Sequence, residues 1–556
     1  MKAYLLYEDQ DFDFDAPLPA QHEDVIQDLE LTTLLQVMAQ GDNFLFEVSK
    51  RVVLTSLDDP GSICYRQHVL ADFLAQPDIL REMYAIAVGA LEDKRGLWGY
   101  SSHYPSSILS GAVHQLEVLV VRMKELRQIA DRHLEKFRSD GLRTLLRTLQ
   151  RELDDDYFQT VNYHLGQLKF RRGELISMEL DRDNSGIEYV LRSSGQAKST
   201  WKERLGIGPH SSYSFTIPPR DEAGAEALSD MTSRGINLVA NAAAQSADHI
   251  TSYFTMLRAE LGFYVSCLHL HEQLAAKDLH PVFPDPAPWE ESRLSFSDLR
   301  DVCLALRAEG PIVGNDVDAD GKSMVIVTGA NSGGKSTFLR SVGLAQLMMQ
   351  SGMFVVADDY RASVCRGVFT HFIREEDASM TSGRLDEELA RMSAIADEIG
   401  PSCLMLFNES FAATNEREGS EIARQVVRAL LEAGIRVLYV THQYDFAESF
   451  LRQDAGSTLF LRAEREAGGH RSFKLAVAEP LSTSFGEDLY LRLGGWVDGD
   501  EVPPPPATPE VVNSSHPDLT ALRGTGVQGV VDTMVGEIAD VIGVEEHDIP
   551  CVRRLP

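Results

Sequence analysis

The segment Val325-Ile326-Val327-Thr328-Gly329-Ala330-Asn331-Ser332-Gly333-Gly334-Lys335-Ser336-Thr337 puts an apolar run, a glycine-spaced turn and the opening of a helix in direct succession. That order commits the chain to a buried strand, a tight loop and a helix. The loop satisfies G-x-x-x-x-G-K-[ST]. Its glycines let successive backbone N–H groups face one point, and the positive end of the following helix faces the same point, which makes a cradle for phosphate oxygens. Lys335 is placed to neutralise β- and γ-phosphate charge, and Ser336 to hold Mg²⁺. Phe338, Leu339, Val342 and Leu347 carry the helix to a stop at Gly352. The expected ligand is ATP with Mg²⁺, bound by Gly329, Ala330, Asn331, Ser332, Gly333, Gly334, Lys335, Ser336 and Thr337.

A phosphate loop works with a second strand that carries a metal-facing acid and a water-polarising one. Cys403-Leu404-Met405-Leu406-Phe407-Asn408-Glu409-Ser410 has the right shape. Glu409, just past the strand end, suits the base that orients an attacking water. Asn408 stands where an aspartate is usual; its amide can accept a hydrogen bond from a metal-bound water but brings no negative charge, so slow hydrolysis is expected. A third strand, Val437-Leu438-Tyr439-Val440, ends in Thr441-His442-Gln443. A histidine at the C-terminal edge of a parallel strand sits where open α/β sheets bind ligands, and His442 is the candidate γ-phosphate sensor.

Around these motifs the 556 residues predict several domains. Residues 25–280 read as long helices, with Leu116, Leu119, Val120, Met123, Leu126 and Ala130 on or near one face. Turn chemistry at Asp183-Asn184-Ser185-Gly186, Gly208-Pro209-His210 and Pro218-Pro219 interrupts them as an excursion. Four prolines within residues 281–288 mark a boundary. Residues 281–497 alternate strand-like runs with amphipathic helices, which predicts a parallel sheet covered on both faces, with strands over 324–328, 403–407 and 437–440. Residues 498–556 hold a Pro-rich linker and a short helix striped by Val527, Val530, Val531, Met534, Val535, Ile538, Val541 and Ile542. That helix packs on its own chain or docks on a partner.

The formal net charge of −32 argues against a protein that coats nucleic acid by bulk attraction. Much of the excess lies in an acidic N-terminal arm, residues 1–24 and just beyond, read as a solvated surface in preference to a docking element for a protein partner. The six scattered cysteines, with no C-x-x-C pair, suit a reducing cytoplasm. No apolar run is long enough to predict a membrane span.

The order of motifs resembles the MutS group of ATPases within the ABC-type superfamily. Gly310-Pro311-Ile312-Val313-Gly314-Asn315-Asp316 ahead of the loop, and Asn331 within it, match that group's pattern. Phe369-Thr370 leading to Thr381-Ser382-Gly383-Arg384 and Glu388 is similar to its signature loop, and Glu409 through Thr414-Asn415-Glu416-Arg417-Glu418-Gly419 to its Walker B and D-loop. Thr441-His442 is similar to its switch histidine. These cover about residues 310–490; the preceding helices, including Cys64-Tyr65-Arg66-Gln67-His68, are more weakly similar to the family's lever core with a clamp-like insertion over about 140–235.

The resemblance implies an α-helical lever and clamp followed by an ABC-type P-loop ATPase domain. It also implies a homodimer through the ATPase domains, with Ser382 and Gly383 meeting the partner's γ-phosphate. Metal binding would fall to Ser336 and, through water, Asn408. Mismatch-reading members carry an F-x-E wedge, whereas Phe446-Ala447-Glu448 and Phe485-Gly486-Glu487 here lie inside the ATPase region, so wedge-based mismatch reading is not expected. Ile312 stands where an adenine-stacking aromatic is common. DNA contact would fall to Lys169, Arg171, Arg172, Lys198, Trp201, Lys202 and Arg204, diluted by Glu174, Glu179, Asp181 and Asp183. Two functions are expected to compete: an ATP-gated dimeric clamp on DNA in mismatch repair or related repair or recombination, and a nucleotide-gated protein scaffold that hydrolyses little and binds no DNA.

Overall fold

The computed structural model describes residues 2–95, 104–171, 173–183, 185–192, 215–374, 383–454, 456–464 and 471–481. Ser382, Arg172, Lys198, Trp201, Lys202, Arg204 and the 498–556 linker and terminal helix lie outside the described residues. In chain order the first helices are α1 (His22–Asp28), α2 (Leu31–Ala39), α3 (Asn43–Leu54), α4 (Pro60–Ala75), α5 (Pro77–Arg95), α6 (Pro105–His133), α7 (Asp140–Glu152) and α8 (Asp155–Leu168). Strands β1 (Leu175–Leu180) and β2 (Gly186–Arg192) precede the long α9 (Glu222–Ala275). Then come β3 (Asp285–Ala287), β4 (Leu294–Leu299), α10 (Val302–Arg307), β5 (Asn315–Asp318), β6 (Met324–Gly329), α11 (Lys335–Gln350), β7 (Asp359–Ser363) and β8 (Val368–Phe372). Last are α12 (Arg384–Glu398), β9 (Leu404–Asn408), α13 (Glu416–Glu432), β10 (Arg436–Val440), α14 (Tyr444–Asp454), β11 (Thr458–Ala463) and β12 (Leu475–Val477). Among the described residues no helix is long and apolar enough to cross a membrane.

The chain forms two compact units, Met1–Asp13 with Ala71–Val265, and Phe14–Leu70 with Ser266–Pro556. The first is built mainly of helices. The predicted face of α6, Leu116 through Ala130, is buried, and so are Leu142, Leu145, Leu146 and Leu149 of α7 at helical spacing. Asp154 caps α8 by accepting the Tyr157 N–H at 2.7 Å. The excursion read from turn residues contains an antiparallel hairpin, β1 on β2, whose turn Ser185 closes by donating from N and Oγ to Asp183 Oδ1. Its strands are largely exposed, so no inward–outward alternation of hydrophobicity announced them. The start of the acidic arm is tied down within this unit: the Leu5 N–H donates to Glu260 Oε2 at 2.6 Å, and the Tyr264 hydroxyl donates to the Leu5 carbonyl at 2.5 Å.

The second unit centres on a six-stranded sheet of order β12-β11-β6-β10-β9-β8, parallel except for β12. Met324, Ile326, Met405, Phe407, Val437, Tyr439 and Phe460 face a core completed by Met392 and Ile395 of α12, Ile422 and Val427 of α13, and Phe446 and Phe450 of α14. On the other face a Cβ at Gly343 of α11 would lie 2.7 Å from Leu406, so helix and strand approach as closely as glycine permits. Burial on both faces is why these strands read as unbroken apolar runs. A four-stranded sheet, β3-β7-β4-β5, accompanies it. The acids that follow the arm's start meet arginines of the same unit: Asp24 pairs with Arg374 at 2.5 Å, Asp28 with Arg391 at 3.6 Å, and Glu30 with Arg307 and Arg340.

Candidate functional site

Parallel pairing sets Val440 beside both Val327 and Asn408, so the C-terminal ends of β6, β9 and β10 share one edge of the sheet. At that edge Gly329 and Gly334 adopt left-handed φ of 108° and 87°. A Cβ at Gly333 would stand 2.8 Å from the Ala330 carbonyl oxygen, and one at Gly329 would stand 2.9 Å from the Ala463 nitrogen. The loop therefore tolerates only glycine at its tightest points. It opens onto a cavity of about 740 Å³ lined by Asn331 to Thr337, Glu409 and His442, with Pro311, Ile312, Val313, Asn315 and Phe473 among the other walls.

Lys335 is 5% exposed and donates to the carbonyls of Gly329 and Ala330 at 3.1 Å each. Burial pushes its ammonium down to about 8, against the pull of Glu409. Ser336 Oγ donates to Asn408 Oδ1 at 2.9 Å. Glu409 sits at φ 57°, held by its N–H on the Val440 carbonyl at 2.9 Å, and its Oε1 lies 2.8 Å from His442 Nε2. That hydrogen bond holds the Glu409 carboxyl below the usual range, so it is a carboxylate at neutral pH. An ionised acid of low basicity serves better to orient water than to remove its proton.

The sequence reading missed Phe473, and it named Asn315 only as part of the 310–316 motif. Phe473 has φ 59° and is 48% exposed on the cavity wall. Asn315 fixes it there: Nδ2 donates to the Phe473 carbonyl at 3.3 Å, and Oδ1 accepts the Leu475 N–H at 2.8 Å. No motif marks a residue in the return between β11 and β12. Gly383, the predicted trans contact, caps α12 and is absent from the cavity wall. Of the predicted DNA contacts, Lys169 and Arg171 are described; both line a cavity of about 660 Å³, and Lys169 pairs with Glu117 at 2.6 Å.

The residues present fit a nucleotide with its metal. The charge of Lys335, on the cavity wall, rests on carbonyl dipoles alone among its described bonds, and the buried Asn331 Oδ1 of the same wall has no hydrogen-bond partner in the protein. Among the described residues no group of three or more His, Cys, Asp or Glu could hold a metal, so Mg²⁺ here would draw on Ser336 and on phosphate oxygens.

Comparison with known proteins bears on the same segments. The family model for MutS domain V matches residues 325–487, and that for the MutS2 N-terminal domain matches residues 58–277. The chain belongs to the MutS family. It is 32% identical over 187 residues to the DNA mismatch repair protein MutS of Chloroflexus aurantiacus, covering 30% of this chain and 19% of that protein. It is 33% identical over 146 residues to the endonuclease MutS2 of Lacticaseibacillus casei, 26% of this chain and 19% of that one. The human MutS protein homolog 4 is 31% identical over 137 residues, 25% and 15% respectively. The matched segments span about a fifth or less of these relatives' lengths. The MutS domain V match begins inside β6 and takes in the loop, Asn408, Glu409 and His442.

Proposed function

We propose that this MutS-family chain hydrolyses ATP as a homodimer paired through its P-loop units, and that nucleotide state opens and closes a helical clamp on DNA in mismatch repair or related repair or recombination. The observation that carries this reading is the convergence of Lys335, Ser336 and the Glu409–His442 pair on one cavity, with Asn408 behind it accepting from Ser336. The loop N–H groups and Lys335 bind the phosphates, Glu409 orients the attacking water, and His442 holds Glu409 until the γ-phosphate arrives. Mg²⁺ bound with ATP would supply charge neutralisation at the β- and γ-phosphates, and Ser336 and, through water, Asn408 are the residues that would hold it. Phe473 supplies the aromatic face for the base that Ile312 does not. Ser382 and Gly383 act on the partner's nucleotide, which biases a rigid-body rearrangement. Lys169, Arg171, Arg172, Lys198, Trp201, Lys202 and Arg204 contact DNA.

DNA binding measured with and without ATP on duplex, mismatched and branched substrates tests this reading. The expected result is a salt-sensitive complex that ATP strengthens or releases. No binding to any of them at low salt would remove DNA from the proposal.

Asn408 favours a second reading, a nucleotide-gated scaffold that turns over little. Its neutral amide oxygen already accepts a hydrogen bond from the Ser336 hydroxyl and adds no charge for the metal. Under this reading Asn408→Asp raises the single-turnover hydrolysis rate about ten-fold or more, since one added carboxylate strengthens metal binding at the reacting phosphates. An unchanged rate would mean that Asn408 does not limit the site.

A further inference from the structure

Glu409 does not stand alone; the turn it opens is gripped from behind by a buried polar strut. Glu409 and Phe411 both have left-handed φ, 57° and 59°, with fully buried Ser410 between them. Neither residue favours that conformation, so surrounding bonds must hold it. The Tyr439 hydroxyl donates to the Ser410 carbonyl at 2.8 Å, and Gln443 Nε2 donates to the Phe411 carbonyl at 3.1 Å. The Phe411 N–H donates to Glu388 Oε2, on the first turns of α12. Glu388 is 1% exposed, and its other carboxyl oxygen is buried without a partner. His371 of β8 closes the circuit. Its Nε2 lies 2.9 Å from the Glu388 main-chain oxygen, its Nδ1 2.7 Å from Ser410 Oγ, and its ring stacks on Phe411 at 5.3 Å. Burial keeps the ring neutral, down to about 4, so Nε2–H donates to the Glu388 main-chain carbonyl, while the Ser410 hydroxyl, which donates to the His371 carbonyl at 2.6 Å, lies against the bare Nδ1.

We propose that Glu388, braced by His371, is a positioning residue for Glu409: the strut ties α12 to the strained 409–411 turn and sets where the Glu409 carboxylate points. The proposal rests on the reading of Glu409 as the residue that orients the attacking water. Because α12 opens at Gly383, the strut also joins the element assigned to the partner's nucleotide to this chain's own hydrolytic residue.

The test compares Glu388→Ala, Glu388→Gln and Glu409→Gln for ATP affinity, kcat and thermal melting. Glu388→Ala frees the Phe411 N–H and lowers kcat about ten- to a hundred-fold, while ATP affinity stays within about two-fold. Glu388→Gln recovers most of that loss, since its amide oxygen still accepts the N–H. Parental kcat in Glu388→Ala, affinity and kcat falling together, or no recovery with Gln would each overturn the proposal. If Glu388→Ala does not fold, Ser410→Ala cuts the His371 link with little change of volume and carries the same expectation of a kcat-selective loss; parental kcat there would equally overturn it. Glu409→Gln separates the two layers. Hydrolysis at the parent rate removes the reading beneath the proposal, whereas an inactive Glu409→Gln beside a fully active Glu388→Ala removes the proposal alone.

Discussion

Lys335→Ala abolishes ATP binding. Its ammonium lies in a nearly closed site with carbonyl dipoles as neighbours, a placement that costs desolvation and is repaid only when phosphate charge arrives. Removing one partner of a buried charge pair typically costs about 2–5 kcal/mol, and here the abandoned partner is a polyanion, so affinity falls at least about a hundred-fold. The same burial gives a pH signature. With the free amine brought down to about 8, ATP binding at higher pH must take up a proton, and affinity falls as pH rises through that value. Titration with a fluorescent ATP analogue checks both. Phe473→Ala in the same titration serves as a contrast, with a loss of about ten-fold, the scale of one base stacked on one aromatic ring. Retained binding in Lys335→Ala would mean that the nucleotide does not use this loop.

Glu409→Gln keeps ATP binding and stops turnover. The substitution preserves shape and leaves an oxygen toward His442, while the loop, Lys335 and Ser336 are untouched. What disappears is the negative charge that orients water, a loss on the order of a hundred- to ten-thousand-fold in the chemical step. Phosphate release under single-turnover conditions reads it directly. Hydrolysis at the parent rate would show that another group orients the water.

The parts of the site that were legible in sequence are those in which short-range chemistry dictates residue identity. The loop's glycines must occupy φ values that other residues avoid, and β6, β9 and β10 are buried on both faces, so their apolar runs stand out and place Glu409 and His442 at strand ends. Less legible was whatever depends on distant pairing. Phe473 reaches the cavity because the chain returns antiparallel from β11 to β12 and Asn315 clasps the return. The four-stranded sheet is assembled from strands far apart in the chain, and Asp24 finds Arg374 across 350 positions. The acidic arm read as solvated because charge runs usually are, and Glu8, Asp9, Asp13 and Asp15 are exposed; Asp24, Asp28 and Glu30 instead meet arginines that no local pattern connects to them. The 175–192 hairpin escaped for the opposite reason, since exposure leaves its strands without a one-sided hydrophobic pattern.

If two P-loop units share each nucleotide, the hydrolysis-blocked chain should be held together by ATP. Sedimentation velocity of Glu409→Gln with ATP and Mg²⁺, with ADP, and without nucleotide tests that most directly. A dimer that appears with ATP and dissociates with ADP is the predicted result. A monomer in all three conditions, with ATP demonstrably bound, would contradict the composite site and with it the nucleotide-gated clamp.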